Sequence, residues 1–140
     1  MPIFMEDKKK FEVLIVGIIF DPKKKKVLIG RAKDDQTLPG LTWFFPGELA
    51  NYDEDVDQTL KKTLKLKTGY DVKNLGAIFS KVYPERKDLL AVYFLTEVFD
   101  GEEKPGAHLT ELKWVSPKEL ENYFTTSFHK KLKEYLIDLI

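Results

Sequence analysis

The sequence predicts an α/β fold, in which β-strands alternate with amphipathic helices. Four runs of β-branched and apolar residues have the composition of strands, namely residues 11–20, 27–32, 72–83 and 89–99. Between the second and third runs, an apolar side chain recurs at every fourth position, which is close to the period of a helix. A second amphipathic stretch, residues 127–140, closes the chain. This alternation is typical of a sheet that packs against helices.

Length and composition predict a single globular domain over residues 1–140. Hydrophobic residues make up 43% and charged residues 33%, which is the balance of a folded, water-soluble protein. The formal net charge is zero, so no overall field attracts the chain to nucleic acid or to an anionic membrane. The absence of cysteine excludes disulfides, zinc–thiolate sites and a thiol nucleophile.

The chain carries no stretch with the character of a targeting or membrane segment. Its first residues lack the apolar run of a signal peptide, and the longest apolar run, residues 13–20, is too short to span a bilayer. We therefore expect a cytoplasmic protein that does not enter a membrane.

The first two strand-like runs predict a β-hairpin. Asp21 and Pro22 open a turn that four lysines complete, and we interpret these lysines as a solvated turn rather than a binding patch. Residues 33–41 are polar and contain a Pro-Gly step, which predicts a loop.

A helix is predicted over residues 53–67, where Val56, Leu60 and Leu64 form an apolar stripe. Acidic residues crowd its beginning and lysines fill its later turns, an order that suits the helix dipole. Gly69 is a natural stop. The dipole therefore explains the acidic cluster without a catalytic role.

The second half predicts two strands around a turn at residues 84–88, a loop at 100–108 and a short strand at 111–115. Ser116 then caps a helix that has Pro117 at its first position and Glu119 at the capping-box position. The closing helix places its larger apolar residues on one side, which are Phe128, Leu132, Tyr135, Leu136 and Leu139. His108 and His129 are isolated, and we expect both at the surface.

The segment from Trp43 to Glu48, which reads W-F-F-P-G-E, precedes the helix that ends at Thr68-Gly69-Tyr70. Together these features resemble the Nudix box of the Nudix hydrolase superfamily. The strand that ends at Arg31 and the late E-L-K-W-V segment around Trp114 are similar to the family's strands before the box and at the end of the domain. The resemblance covers nearly the whole chain and implies an α/β/α sandwich with a mixed β-sheet.

The box is degenerate. The family motif is G-x5-E-x7-R-E-U-x-E-E-x-G-U, where U is bulky and apolar. Aligned on Gly69, it puts Glu48 at the opening Gly, Glu54 at the first Glu and Lys62 at the Arg. The remaining glutamates fall on Thr63, Leu66 and Lys67.

The resemblance implies that these glutamates hold Mg²⁺ in active relatives. Mg²⁺ needs several oxygen ligands, and an ammonium group such as that of Lys67 repels it. We therefore expect no metal site and no cofactor, with Mg²⁺ required only if the chain is an active hydrolase.

Glu48 replaces the second glycine of the family's usual Pro-Gly-Gly. If that glycine serves a positive φ, Glu48 either carries backbone strain or lies in a rebuilt loop. Glu48 is thus either a residue of a relaxed loop, which we favour, or a displaced metal ligand.

Three functions are consistent with this pattern. The first is a non-hydrolytic protein that binds a nucleotide or another phosphate-bearing ligand. Lys62 and Lys67 would hold phosphate by charge, as Mg²⁺ does in active relatives, and Arg31 and Trp43 are further candidates for ligand binding.

The second is an active Nudix hydrolase, a pyrophosphohydrolase acting on nucleoside diphosphate derivatives. Glu48 and Glu54 are its weak catalytic candidates, and the other acids that could serve as a base are Asp53, Glu85, Glu102, Glu103 and Glu111. The third is a protein-interaction module with a vestigial pocket, in which the last helix faces a partner or a second copy in a homodimer.

Overall fold

The computed structural model of the chain describes residues 10–32, 43–124 and 130–139. The predicted loop at residues 33–41 lies outside these ranges. So do residues 127–129 and 140 of the predicted last helix, which include His129. None of the helices in the described ranges is long and apolar enough to cross a membrane.

The described part contains seven strands, three α-helices and a short 3-10 helix at Pro117–Glu119. The strands are β1 (Glu12–Asp21), β2 (Lys26–Ala32), β3 (Trp43–Phe44), β4 (Gly47–Leu49), β5 (Tyr70–Tyr83), β6 (Arg86–Gly101) and β7 (Leu109–Val115). The helices are α1 (Val56–Thr68), α2 (Leu120–Tyr123) and α3 (Lys130–Leu139).

The strands form one mixed sheet around β1, as predicted. Strand β1 pairs in parallel with β6 and antiparallel with β2 and β4, while β5 pairs with the other edge of β6. Strands β3 and β7 pair with β2. Residues Ile15 to Ile19 of β1 are all buried, because both faces of this central strand are covered.

The two faces of the sheet have separate apolar cores. On one face, Leu60 and Leu64 of α1 pack with residues of the sheet that include Ile15, Ile19, Leu28 and Val72. On the other face, Leu120 of α2 and Leu132 and Leu136 of α3 pack with a set that includes Val16, Ile18, Ile29, Leu89 and Ala91. The predicted α/β/α sandwich with a mixed sheet is therefore confirmed.

Helix α1 begins at Val56, later than predicted. Asp53 and Glu54 precede it, and Asp55 is its N-cap in an extended conformation, with its N–H donating to Gln58 Oε1 at 3.2 Å. Because Val56 lies at this first turn it is 43% exposed, so the buried stripe begins only at Leu60. The predicted stop is confirmed, since Gly69 has a φ of 82° and its N–H donates to Lys65 O.

Other boundaries also differ from the sequence pattern. The β5–β6 turn is only Pro84–Glu85, because Tyr83 already pairs with Arg86, and β6 continues through Gly101. Ser116 and Glu119 form the predicted capping box, but the helix it starts is a 3-10 turn that leads into α2. In α3, Tyr135 is 42% exposed, so it does not share the buried face of Leu132 and Leu136.

The loop of residues 102–108, which connects β6 to β7, packs directly on the C-terminal end of α1. Its Lys104 and Gly106 N–H groups donate to Thr68 O at 2.9 Å and to Lys67 O at 3.0 Å. A Cβ atom on Gly69 would lie 2.0 Å from Glu102 O, and one on Gly106 would lie 2.0 Å from Leu66 O. Glycine is therefore required on both sides of this contact, which we call the helix-end clasp.

Because two tyrosines are buried in the core, we expect the free energy of unfolding to fall at alkaline pH. The hydroxyls of Tyr83 and Tyr93 hydrogen-bond to each other in the core, and burial raises the pKa of Tyr83 and raises that of Tyr93 well above its ordinary value. Both phenols therefore ionise more easily in the unfolded chain, so the stability they confer is complete below pH 10 and declines above it. We expect urea unfolding to show a loss of about 1 kcal/mol per tyrosine between pH 9 and pH 11.

The double variant Tyr83→Phe/Tyr93→Phe is the control, because it removes both phenols together and leaves no hydroxyl unpaired. Its free energy of unfolding should fall less steeply over the same pH interval. An identical slope in the two proteins would contradict the assignment of the alkaline loss to this pair.

Candidate functional site

Lys67 connects the end of α1 to β4. Its Nζ donates to Gly47 O at 2.5 Å and lies 3.9 Å from Glu48 Oε2. The Lys67 side chain is only 16% exposed, whereas that of Glu48 is 56% exposed. The residue at the position of the family's last box glutamate is thus a largely buried cation that contacts a carbonyl oxygen and faces a carboxylate.

The β4 side of this contact is fixed by close backbone packing. A Cβ atom on Gly47 would lie 2.7 Å from Ile15 O, and Gly17 N–H donates to Pro46 O at 2.9 Å. Glu48 pairs with Ile15 in the antiparallel ladder, and the positive-φ residues other than glycine in the described ranges are Lys25 and Ala107. The strain considered for Glu48 is therefore absent, because this residue extends a strand.

Glu54 and Lys62 form a second ion pair near the start of α1. Lys62 Nζ donates to Glu54 Oε2 at 2.9 Å, and Thr59 Oγ1 donates to Glu54 Oε1 at 3.2 Å. The Lys62 ammonium lowers the pKa of the Glu54 carboxyl, with a smaller contribution from the Thr59 hydroxyl. A carboxylate held in its ionised form by a lysine is a weak general base.

The other two positions of the missing glutamates carry no carboxylate. Thr63 is buried against the sheet, and Leu66 is 62% exposed. Across the ranges that the structure describes, no three histidine, aspartate or glutamate side chains come together as a ligand set.

Two of the acids considered as alternative bases, Glu103 and Glu111, already have partners of their own. Glu111 on β7 faces Arg31 at 3.8 Å, and Glu85 lies in the β5–β6 turn. Glu103 Oε1 accepts hydrogen bonds from Tyr70 Oη at 3.1 Å and Trp114 Nε1 at 2.9 Å. These contacts anchor the loop of residues 102–108 to the sheet.

Each lysine of α1 has a carboxylate partner within 4 Å. Lys61 pairs with Asp57 at 3.1 Å, and Lys65 pairs with Asp71 at 3.0 Å. Asp57 also accepts a hydrogen bond from Asn74 of β5, so this flank of α1 faces β5. Lys61 and Lys65 therefore lie on the flank of α1 that faces β5, whereas Lys67 reaches β4 and Lys62 is held by Glu54.

Arg31 and Trp43 lie together on the paired strands β2 and β3, where Trp43 packs on the core that α2 and α3 cover. The Arg31 Cζ atom is 5.9 Å from the centre of the Trp43 ring, and the edge of this ring meets Tyr123 of α2, with ring centres 5.6 Å apart. Lys113 Nζ lies 5.0 Å from the Tyr123 ring centre. These four side chains form a row in which two aromatic rings lie between two cations, and we call them the aromatic ladder.

Of the predicted ligand-binding residues, the structure thus brings Arg31 to Trp43, and it places Lys62 beside Glu54 and Lys67 beside β4. Within the described part of the chain, no hydrogen bond or ion pair joins these two groups. Sequence reasoning missed the Gly47 carbonyl and the Tyr123–Lys113 half of the ladder. A backbone oxygen has no signature in sequence, and Tyr123 reaches Trp43 only through the tertiary fold.

A separate surface pocket of about 490 Å³ lies on the β5 flank of α1. It contains none of the predicted site residues and is lined by Lys61, Asp71, Val72, Lys73, Glu97, Val98 and Phe99.

Comparisons with known proteins agree with this architecture. A family model described as NUDIX domain matches residues 10–136. A NUDIX hydrolase structure from Nitrosomonas europaea superposes with a TM-score of 0.74 at 17% identity, covering 93% of this chain and 72% of its own. A structure described for MutT of Aliivibrio salmonicida and Vibrio cholerae gives a TM-score of 0.70 at 20% identity, covering 91% of this chain and 96% of its own.

A MutT protein from Methanosarcina mazei Go1 gives a TM-score of 0.69 at 16% identity, covering 94% of both chains. At these identities the neighbours show the fold alone. Among curated proteins, none matches the chain in sequence.

Proposed function

The chain belongs to the NUDIX family, and from this premise we propose that it binds a nucleotide or another phosphate-bearing ligand without hydrolysing it through its box. The observation that carries this proposal is the placement of Lys67. Its ammonium lies against Gly47 O and beside Glu48, in a half-enclosed position at the end of α1. The Lys67 ammonium thus places a positive charge where active relatives hold a metal ion.

Charge and geometry both disfavour a divalent metal at this position. The Lys67 ammonium repels Mg²⁺ directly, and Thr63 and Leu66 offer no carboxylate. Hydrolysis by the family's route needs metal ions that stabilise the charge on the phosphates. A lysine can instead bind phosphate as a point charge, which supports binding in the absence of metal.

The aromatic ladder supports a ligand with a ring as well as phosphate. Trp43 and Tyr123 are partly exposed and are flanked by Arg31 and Lys113. Aromatic faces stack with nucleobases, and a neighbouring guanidinium adds a cation–π contribution. The ladder packs on the face of the sheet that α2 and α3 cover, opposite to α1, so its two rings and two cations form a binding place separate from Lys62 and Lys67.

Calorimetric titration of ADP and inorganic pyrophosphate in the presence of EDTA tests binding. We expect measurable affinity for the wild-type protein, and a loss of about tenfold in Lys62→Ala and in Lys67→Ala, which corresponds to about 1.4 kcal/mol. Lys65→Ala is the matched control, because it removes a lysine from the β5 flank. No affinity in the wild-type protein, or affinity that Lys67→Ala leaves unchanged, would contradict the proposal.

A hydrolysis screen of nucleoside triphosphates and nucleoside diphosphate derivatives, run with Mg²⁺ and with Mn²⁺, tests the absence of turnover. We expect none above a protein-free control. Metal-dependent turnover that disappears in Glu48→Gln or Glu54→Gln would instead establish a hydrolase with displaced acids.

A further inference from the structure

Two glutamates neutralise the lysines that the proposed function assigns to the ligand. Glu54 holds Lys62 at 2.9 Å near the start of α1, and Glu48 of β4 faces Lys67 at 3.9 Å near its end. A phosphate group that approaches either lysine therefore meets a carboxylate already beside it. Binding must separate these pairs or proceed against their negative charge.

The surroundings of the two carboxylates allow such an exchange. The Lys62 side chain is 61% exposed and the Glu48 side chain is 56% exposed, so each pair has one partner in contact with solvent, while Glu54 and Lys67 are mostly covered. Water and other ions therefore compete for the exposed partner of each pair, which weakens the net attraction within it. Glu48 Oε1 also accepts the N–H of Leu49 at 3.1 Å, which holds this carboxylate near the strand.

We propose that Glu48 and Glu54 are built-in competitors of the phosphate ligand, which occupy Lys67 and Lys62 in the free protein and give way when a phosphate group binds. This inference rests on the proposed function, because it assumes that these lysines bind phosphate. It adds a form of regulation at the same site, because the protein's own carboxylates lower the affinity of these lysines for anions. Ligands with several negative charges, such as a diphosphate, displace them more readily than a monoanion does.

If Glu48 and Glu54 compete with phosphate, then removing their negative charge should strengthen anion binding. Glu48→Gln and Glu54→Gln remove the competing charge but keep an amide oxygen that can accept the Leu49 N–H and the Thr59 hydroxyl. Each substitution should therefore tighten anion binding by about threefold to tenfold at low ionic strength. An active hydrolase that used these acids would respond in the opposite direction, with a loss of activity in the same two variants.

The experiment is a calorimetric titration of inorganic pyrophosphate in EDTA, at about 20 mM and about 150 mM salt. The proteins are wild type, Glu48→Gln, Glu54→Gln, and the controls Asp57→Asn and Asp71→Asn. The controls make the same change in net charge, but they release Lys61 and Lys65 on the β5 flank. Circular dichroism melting curves verify that each variant is folded.

Tighter binding by Glu48→Gln or Glu54→Gln than by wild type and by both controls, with a smaller gain at the higher salt, supports the inference. Equal tightening in all four variants would assign the effect to net charge and overturn it. Wild-type binding that these two variants leave unchanged or weaken overturns the inference while the proposed function stands. If neither the wild type nor any variant binds, the proposed function fails and the inference fails with it.

Discussion

Replacing Gly69 with alanine is expected to lower the free energy of unfolding by about 3 to 5 kcal/mol, a large share of the stability of a domain of this size. Gly69 has a φ of 82°, a conformation that disfavours any side chain. Its Cβ atom would also lie 2.0 Å from Glu102 O, which is a backbone atom and cannot rotate away. The helix-end clasp would have to open to admit the methyl group.

Substitutions at two other glycines measure the effect of the close contact and the effect of the positive φ one at a time. Gly106→Ala introduces a contact of 2.0 Å with Leu66 O on the opposite side of the clasp, at a residue without positive φ. Gly76→Ala introduces a side chain at a φ of 112° with no atom within 4 Å of it. We therefore expect a smaller loss for Gly76→Ala, of about 1 to 2 kcal/mol, in urea unfolding of the three variants.

If Gly69→Ala and Gly76→Ala lower the free energy of unfolding by the same amount, then the contact between the new Cβ atom and Glu102 O adds nothing to the cost of a positive φ. A midpoint of thermal unfolding lower by about 10 to 20 °C in Gly69→Ala would agree with the larger loss.

Replacing both Leu66 and Lys67 with glutamate is expected to create affinity for divalent metal. Leu66 is exposed, so a charged side chain is accommodated there, and Lys67→Glu removes the ammonium that faces Glu48. The new carboxylates would join Glu48 and Gly47 O, which are oxygen ligands of the kind that Mg²⁺ and Mn²⁺ use. We expect metal to raise the thermal midpoint of the variant by about 5 to 10 °C when its concentration is about 100 times the Kd.

The matched control is Leu66→Glu/Lys67→Gln, which loses the ammonium without gaining a carboxylate at position 67. It and the wild-type protein should show no metal-dependent change in melting. A wild-type midpoint that rises with Mn²⁺ as far as that of the double glutamate variant would show that Lys67 does not exclude metal.

The parts of the fold that could be predicted are those determined by nearby residues. The β1–β2 hairpin follows from two apolar runs around Asp21 and Pro22, and the end of α1 follows from Gly69, because a left-handed cap requires a glycine there. The start of α1 was predicted too early, since Asp53 and Glu54 carry the same charge as the true N-cap, Asp55. Composition cannot tell a capping acid from the acids that precede it.

The candidate site was less accessible to sequence reasoning because its contacts are long-range. The motif indicated Lys67 and Lys62, but it did not indicate that the first lies on Gly47 O or that Glu54 folds back across the start of α1 to neutralise the second. The helix-end clasp depends on backbone atoms from two distant segments, and only the glycines suggest such close approach. Pairings of this kind become visible only when the sheet is assembled.

The parallel pairing of β1 with β6 has a consequence for how the chain folds. Glu12 lies opposite Leu89 and Phe20 opposite Glu97, so the centre of the sheet joins segments separated by most of the chain. Such pairings require closure of a long loop before any contact forms, which slows folding to about milliseconds or longer. During synthesis, β1 can pair with β2 at once, but its other edge stays open until β6 leaves the ribosome. This apolar central strand therefore keeps one edge unpaired through much of synthesis, which makes the nascent chain prone to aggregation.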